Sequence, residues 1–147
     1  MCHHRDRQTV NSWWRMIVTH EDLAQRADFE AFVLSLPSVV VVRQWRDDSV
    51  AKVGGRIFAL LDAGPGEVWL KVSDMAFELL TELEGIRPAP YFARAGWVAI
   101  APDSPLTTGE MQAYIVEAHR LVASKLSRRR RTELGLDGVT PAAPHRP

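Results

Sequence analysis

Val50-Ala51-Lys52-Val53-Gly54-Gly55-Arg56-Ile57-Phe58-Ala59-Leu60-Leu61 is the stretch that decides the fold. Two apolar, β-prone runs flank a Gly-Gly pair. A two-residue primed turn needs positive φ at both central positions, and glycine adopts it without a steric penalty. A tight antiparallel hairpin is therefore expected. Across such a turn Val53 faces Arg56 and Lys52 faces Ile57, so Lys52 and Arg56 start on opposite faces of the sheet. Upstream, Val39-Val40-Val41-Val42 is a β-branched run that predicts a strand extending towards Trp45. Downstream, Gly64-Pro65-Gly66 predicts a second turn, leading into Val68-Trp69-Leu70-Lys71-Val72. Its alternation buries Val68, Leu70 and Val72 and leaves Trp69 and Lys71 on the other face.

Helical patterns surround these strands. Thr19 reads as an N-cap before Glu21 and Asp22, and Leu23, Ala27, Phe29, Phe32, Val33 and Leu36 recur on one face until Pro37. Asp74 is the expected cap of a helix through Phe77, Leu79, Leu80 and Leu83, stopped by Gly85. Two prolines make 86–91 extended, and Trp97-Val98-Ala99-Ile100 is a last strand. Thr107 and Glu110 form a capping box for a helix carrying Met111, Tyr114, Ile115, Ala118, Leu121 and Val122 to about Leu126. The order α-β-β-β-β-α-β-α predicts an α+β sandwich: one domain, with an antiparallel sheet of about five strands covered by helices. Residues 1–18 read as a flexible leader, with Met16 the expected natural start. Residues 19–127 read as the domain and 128–147 as a basic, disordered tail.

The chain has 147 residues, 46% hydrophobic and 24% charged, enough for one domain with a core. No run reaches the eighteen or so apolar residues that span a bilayer. A single cysteine, Cys2, allows no internal disulfide, so a cytoplasmic protein with no membrane contact is expected. The net charge of +0 hides an asymmetry. Between His20 and His119 fifteen acidic residues stand against eight basic ones, while both ends of the chain are basic. A nucleic-acid contact would then be local or come from the tail.

The chemistry of catalysis is thinly represented. There is no Gly-x-Ser-x-Gly elbow. His20-Glu21-Asp22-Leu23-Ala24 lacks the second histidine of a metalloprotease motif, and Gly54-Gly55-Arg56 is neither a phosphate loop nor a helix start. Cys2, His3 and His4 lack the spaced second pair of a zinc site. No enzymatic activity and no cofactor are expected. Asp74, Glu78 and Glu82 stand at i, i+4, i+8 and would line one helical face, a hard-cation ridge or a solvated surface. Cations beside aromatics are the more suggestive set: Lys52 and Arg56 at the hairpin tip, Trp69 and Lys71 on the next strand, then Arg87, Tyr91, Phe92, Arg94 and Trp97 around the proline loop. Such groups neutralise phosphates and stack on bases, and they equally suit a protein interface. Arg128, Arg129, Arg130 and Arg131 add an unspecific basic run.

Lys52-Val53-Gly54-Gly55-Arg56-Ile57-Phe58-Ala59, Leu70-Lys71-Val72, Ile86-Arg87-Pro88-Ala89-Pro90-Tyr91 with Arg94 and Gly96-Trp97-Val98, and the helix from Tyr114 to Leu126 together resemble the MmcQ/YjbR family. The resemblance covers about residues 19–129. It implies a compact fold similar to the frataxin/CyaY group, with hairpins described as a double wing and DNA as the partner. No catalytic residues come with it. The contact set it implies is Lys52, Arg56, Lys71, Arg87, Tyr91, Arg94 and Trp97, with the arginine tail adding affinity. A protein- or small-ligand-binding module is the alternative, and metal binding through the acidic ridge a weaker one.

Overall fold

The computed structural model describes residues 22–90 and 92–138. The expectations for the leader, the Thr19 side-chain cap, the Cys2-His3-His4 cluster, Tyr91 and the last nine residues lie outside them, but the helix expected from Thr19 starts only at Arg26, after a turn at 22–25 with Gln25 as its N-cap. Helix α1 (Arg26–Leu34) leads into strands β1 (Val39–Gln44), β2 (Asp48–Val53), β3 (Arg56–Leu61) and β4 (Val68–Lys71). Helix α2 (Asp74–Leu80), strand β5 (Ile86–Pro88), a 3₁₀ turn (Ala93–Ala95), strand β6 (Trp97–Ile100), helix α3 (Thr108–Ala123) and helix α4 (Arg128–Glu133) follow. The strands form one sheet in the order β1-β2-β3-β4-β6-β5, with every neighbouring pair antiparallel.

One face of the sheet carries the main core. Phe29 and Val33 from α1, Leu80 from α2, and Ile115, Ala118 and Ala123 from α3 close over Val53, Phe58, Leu70 and Val98. Helix α1 covers β1 and β2, α3 covers β3 and β4, and α2 lies on β5 and β6. The chain is thus the α+β sandwich its patterning predicts. The hairpin register is also as expected, with Val53 opposite Arg56 and Lys52 opposite Ile57. The register then shifts, because Ala51 pairs with Ala59 and Phe58 is the extra residue. Such a bulge re-aims a side chain. Here Phe58 follows the alternation into the core, edge-on to the His119 ring at 5.3 Å, and the extra residue brings Ala59 to the same side beside it.

Four local expectations are corrected. The sheet has six strands, since Ile86–Pro88 pairs with β6 at the sheet edge, where a proline's missing N–H costs no ladder bond. Ser73, not Asp74, caps α2, its hydroxyl accepting from the Ala76 amide at 3.2 Å. Helix α2 stops at Leu80, so Glu82 falls beyond it and the ridge of Asp74, Glu78 and Glu82 is broken. Among the described residues no group of three or more His, Cys, Asp or Glu is placed to hold a metal ion. The fourth correction concerns the tail. Arg128–Glu133 is a helix capped by Ser127, and beyond it Leu136 is 1% exposed in the main core. Four adjacent arginines signal disorder by charge alone, but Leu134 and Leu136 give this segment an apolar anchor. The capping box of α3 forms as predicted, with Thr107 and Glu110 each accepting the other's backbone N–H.

Candidate functional site

Antiparallel pairing brings the start of β3, the end of β4 and the start of β6 to one end of the sheet: Arg56 opposes Val53, and Lys71 opposes Trp97. The last turns of α3 reach the same end. Arg56, Lys71 and Lys125 there rim a groove of about 540 Å³ floored by Ile57, Trp97, Leu121 and Val122. No carboxylate lines it.

The hairpin tip fixes this end of the molecule to the tail helix. Gly54 and Gly55 have φ of 60° and 82°, as a primed turn requires. A Cβ placed on Gly54 would lie 2.6 Å from Leu126 Cδ1 and 3.3 Å from Leu134 Cδ1. Only glycine allows this approach, and through it the arginines of α4 stand beside the hairpin. Residues remote in sequence thus meet at one end of the sheet: Arg56, Lys71 and Lys125 around the groove, Lys52 on the opposite sheet face beside the same hairpin tip, and helix α4 opening with Arg128 three residues past Lys125. Among the described residues no hydrogen bond or ion pair engages the side chains of Lys52, Arg56, Lys125 or Arg128. Glu133 is shared by Arg129 at 3.9 Å and Arg130 at 3.5 Å.

The expected contact set divides. Lys71 leans on the 3₁₀ turn, its Nζ donating to the Ala95 carbonyl. Gly96 leaves room for it, since a Cβ there would come within 2.8 Å of Nζ. Burial, and then the neighbouring Lys125 charge, push the Lys71 ammonium below the usual lysine range, against a smaller opposing effect of Asp74. Arg94 is exposed beside Asp74 and Glu78, in a separate cleft on the other side of Lys71. Arg87 is bound to Glu67 at 2.8 Å, and the same Oε1 accepts from Trp69 Nε1 at 3.2 Å. Both are occupied away from the groove.

Trp97 is not an exposed stacking ring. It is 7% exposed, packs on Phe92 at 5.3 Å, and shares a small second core with Ala89 and Ala99. It contributes to the groove floor only. Arg131 is structural as well. It turns back and donates to the Leu126 carbonyl at 2.5 Å and the Ser124 carbonyl at 3.3 Å, satisfying orphan groups at the end of α3. Sequence reasoning missed Lys125, Leu121 and Val122 as groove residues. Lys125 stands four residues after Leu121, hence on the same helical side, and that spacing was the available signal.

Fold and site together define an α+β sandwich with one strongly basic end. The YjbR family model matches residues 34–121, and the chain belongs to that family. Two solved structures share the fold. A Deinococcus radiodurans protein, described by the family-model domain DUF419, aligns with a TM-score of 0.73 at 22% identity, over 86% of this chain and 99% of its own. A Pseudomonas syringae protein aligns with a TM-score of 0.56 at 20% identity, over 64% of this chain and 95% of its own. No curated protein matches the chain. Among the described residues no helix is long and apolar enough to cross a membrane.

Proposed function

We propose that the chain is a non-catalytic DNA-binding protein whose basic end sits on the phosphate backbone. One observation carries the reading. The Gly54 tip packs against Leu126 and Leu134, which flank α4, so the hairpin cation Arg56 and the groove cations Lys71 and Lys125 stand close to the start of the arginine helix on an otherwise acidic body. Clustered cations release condensed counterions from a polyanion, and that entropy gain drives sequence-independent binding. The acidic remainder orients the encounter, since it is repelled while the basic end is attracted. The hairpin tip belongs to this interface, whereas the Gly64–Gly66 turn lies at the opposite end of β3 and β4 and takes no part. Arg87 and Trp97 leave the contact set for the reasons above.

The test is charge reversal with a matched control. R56E, K125E and R128E together are expected to weaken binding of a random duplex by roughly 100-fold or more at low salt, as several phosphate contacts are lost. Arg46→Glu, an exposed cation in the β1–β2 turn at the far end, should leave affinity unchanged. Equal losses in both would mean that net charge, not this surface, governs binding. No binding by the unaltered protein at low salt would favour the interaction-module reading.

A further inference from the structure

The groove at the basic end has a feature that backbone binding does not use: an apolar floor. Ile57, Trp97, Leu121 and Val122 lie between three cations. A phosphate gains nothing from such a floor, and a duplex turns its phosphates outward and keeps its bases paired and stacked inside. We infer that the groove seats a single unpaired nucleotide, its base on the Leu121–Val122–Ile57 floor and its phosphate among Arg56, Lys71 and Lys125. This rests on the reading of the basic end as a nucleic-acid surface, and adds that single-stranded segments are its preferred ligand.

Size and chemistry agree. At about 540 Å³ the groove falls within the roughly 300–1,000 Å³ of small-molecule sites. The Lys71 ammonium has three donors, of which the Ala95 carbonyl takes one, leaving two for an incoming anion. Lys71 is faced by Lys125 from the turn after α3, Asp74 from α2 and the Ala93–Ala95 turn, with Arg56 also lining the groove. A phosphate arriving between the lysines would relieve their mutual repulsion. Three residues past Lys125, helix α4 opens with Arg128 and Arg129, so the chain leaving the groove carries further cations. A lone amphipathic anion would leave that strip empty, whereas a nucleic-acid strand leaving the groove would follow it.

The experiment compares a labelled fifteen-nucleotide oligothymidylate with a blunt fifteen-base-pair duplex, by fluorescence anisotropy at equal salt. Charge density alone predicts tighter duplex binding, because the duplex packs more phosphates per unit length. The seat predicts the reverse, with the single strand at least about tenfold tighter. Leu121→Gln keeps every charge and should erase that preference while changing duplex affinity less than about twofold. A second readout needs no variant. Thymidine 5′-monophosphate should shift the amide resonances of Ile57, Leu121 and Val122, whereas inorganic phosphate should move only those near Lys71. Equal duplex and single-strand binding, indifferent to L121Q, would overturn the seat and leave the basic surface standing. Absence of binding by either nucleic acid would overturn both.

Discussion

His119 shows how one side chain reports on the packing around it. It is 4% exposed, edge-on to Phe58, and its Nε2–H donates to the Pro37 carbonyl at 2.9 Å. Burial lowers its pKa, and the Pro37 bond offsets this only in part. The unfolded chain therefore takes up a proton more readily than the folded one. The stability from neutral His119 is fully present above the ordinary histidine value of about 6.5 and is lost as pH falls through the lower folded value. Thermal unfolding should show Tm falling as pH drops from 7.5 into the range below 6.5, and H119Q should flatten that dependence. An unchanged slope in H119Q would assign the effect elsewhere. Glu30 acts lower on the scale. Burial alone would raise its carboxyl, but hydrogen bonds from Arg43 and Ser49 hold it below its usual range, so its contribution is lost only in stronger acid. Gly54 supplies the other residue-scale prediction. Gly54→Ala combines a left-handed backbone with a clash against Leu126 and should cost about 2 kcal/mol or more, while Gly55→Ala, with open space around it, should cost about 1. Equal costs in denaturant titrations would contradict the close approach. The turn itself was plain in the sequence; its partner was not, because nothing local in Gly54-Gly55 points to Leu126.

At the scale of elements, legibility followed whether the signal was local. The Gly-Gly hairpin, the alternation of β4 and the Thr107–Glu110 capping box are short-range patterns, and each forms as read. The short strand β5 was hidden by Pro88, because its existence depends on β6 accepting it as an edge partner. Helix α4 was hidden by charge. Its six residues carry four arginines, too short and too like-charged to persist alone, so tertiary anchoring by Leu134 and Leu136 must hold it. Leu136→Ala should therefore destabilise the whole domain by about 2–4 kcal/mol, as for a buried leucine elsewhere. A silent L136A in urea unfolding would return the segment to the status of a loose tail. The same packing means that deleting the chain after Leu126 would remove part of the core together with the arginines. Point charge reversals are the cleaner probe.

Across the whole molecule the two ends of the strands differ in how their cations are held: Arg26 and Arg43 at the far end are paired with Asp47 and Glu30, whereas the groove is lined by cations and no carboxylate. Basic groups gather where β2 ends and β3 begins, while Asp48 and Asp62 stand at the opposite end of those strands. The sequence disclosed the asymmetry between body and ends but not its direction in space. That direction needs both the strand register and the docking of α4 on the hairpin tip. Of the expected contact residues, Arg56 and Lys71 meet at the groove, while Lys52 lies on the opposite sheet face beside the same hairpin tip. Arg87, Trp97 and Arg131 have structural partners that only the fold brings near. A cationic surface held together by the Gly54 approach should show itself in the salt dependence of duplex binding to the full chain. The expected log–log slope lies between about −3 and −5, at roughly −0.9 per phosphate contact, and becomes shallower by about three in the R56E, K125E and R128E triple variant. A slope near zero, or one the triple variant leaves unchanged, would contradict it.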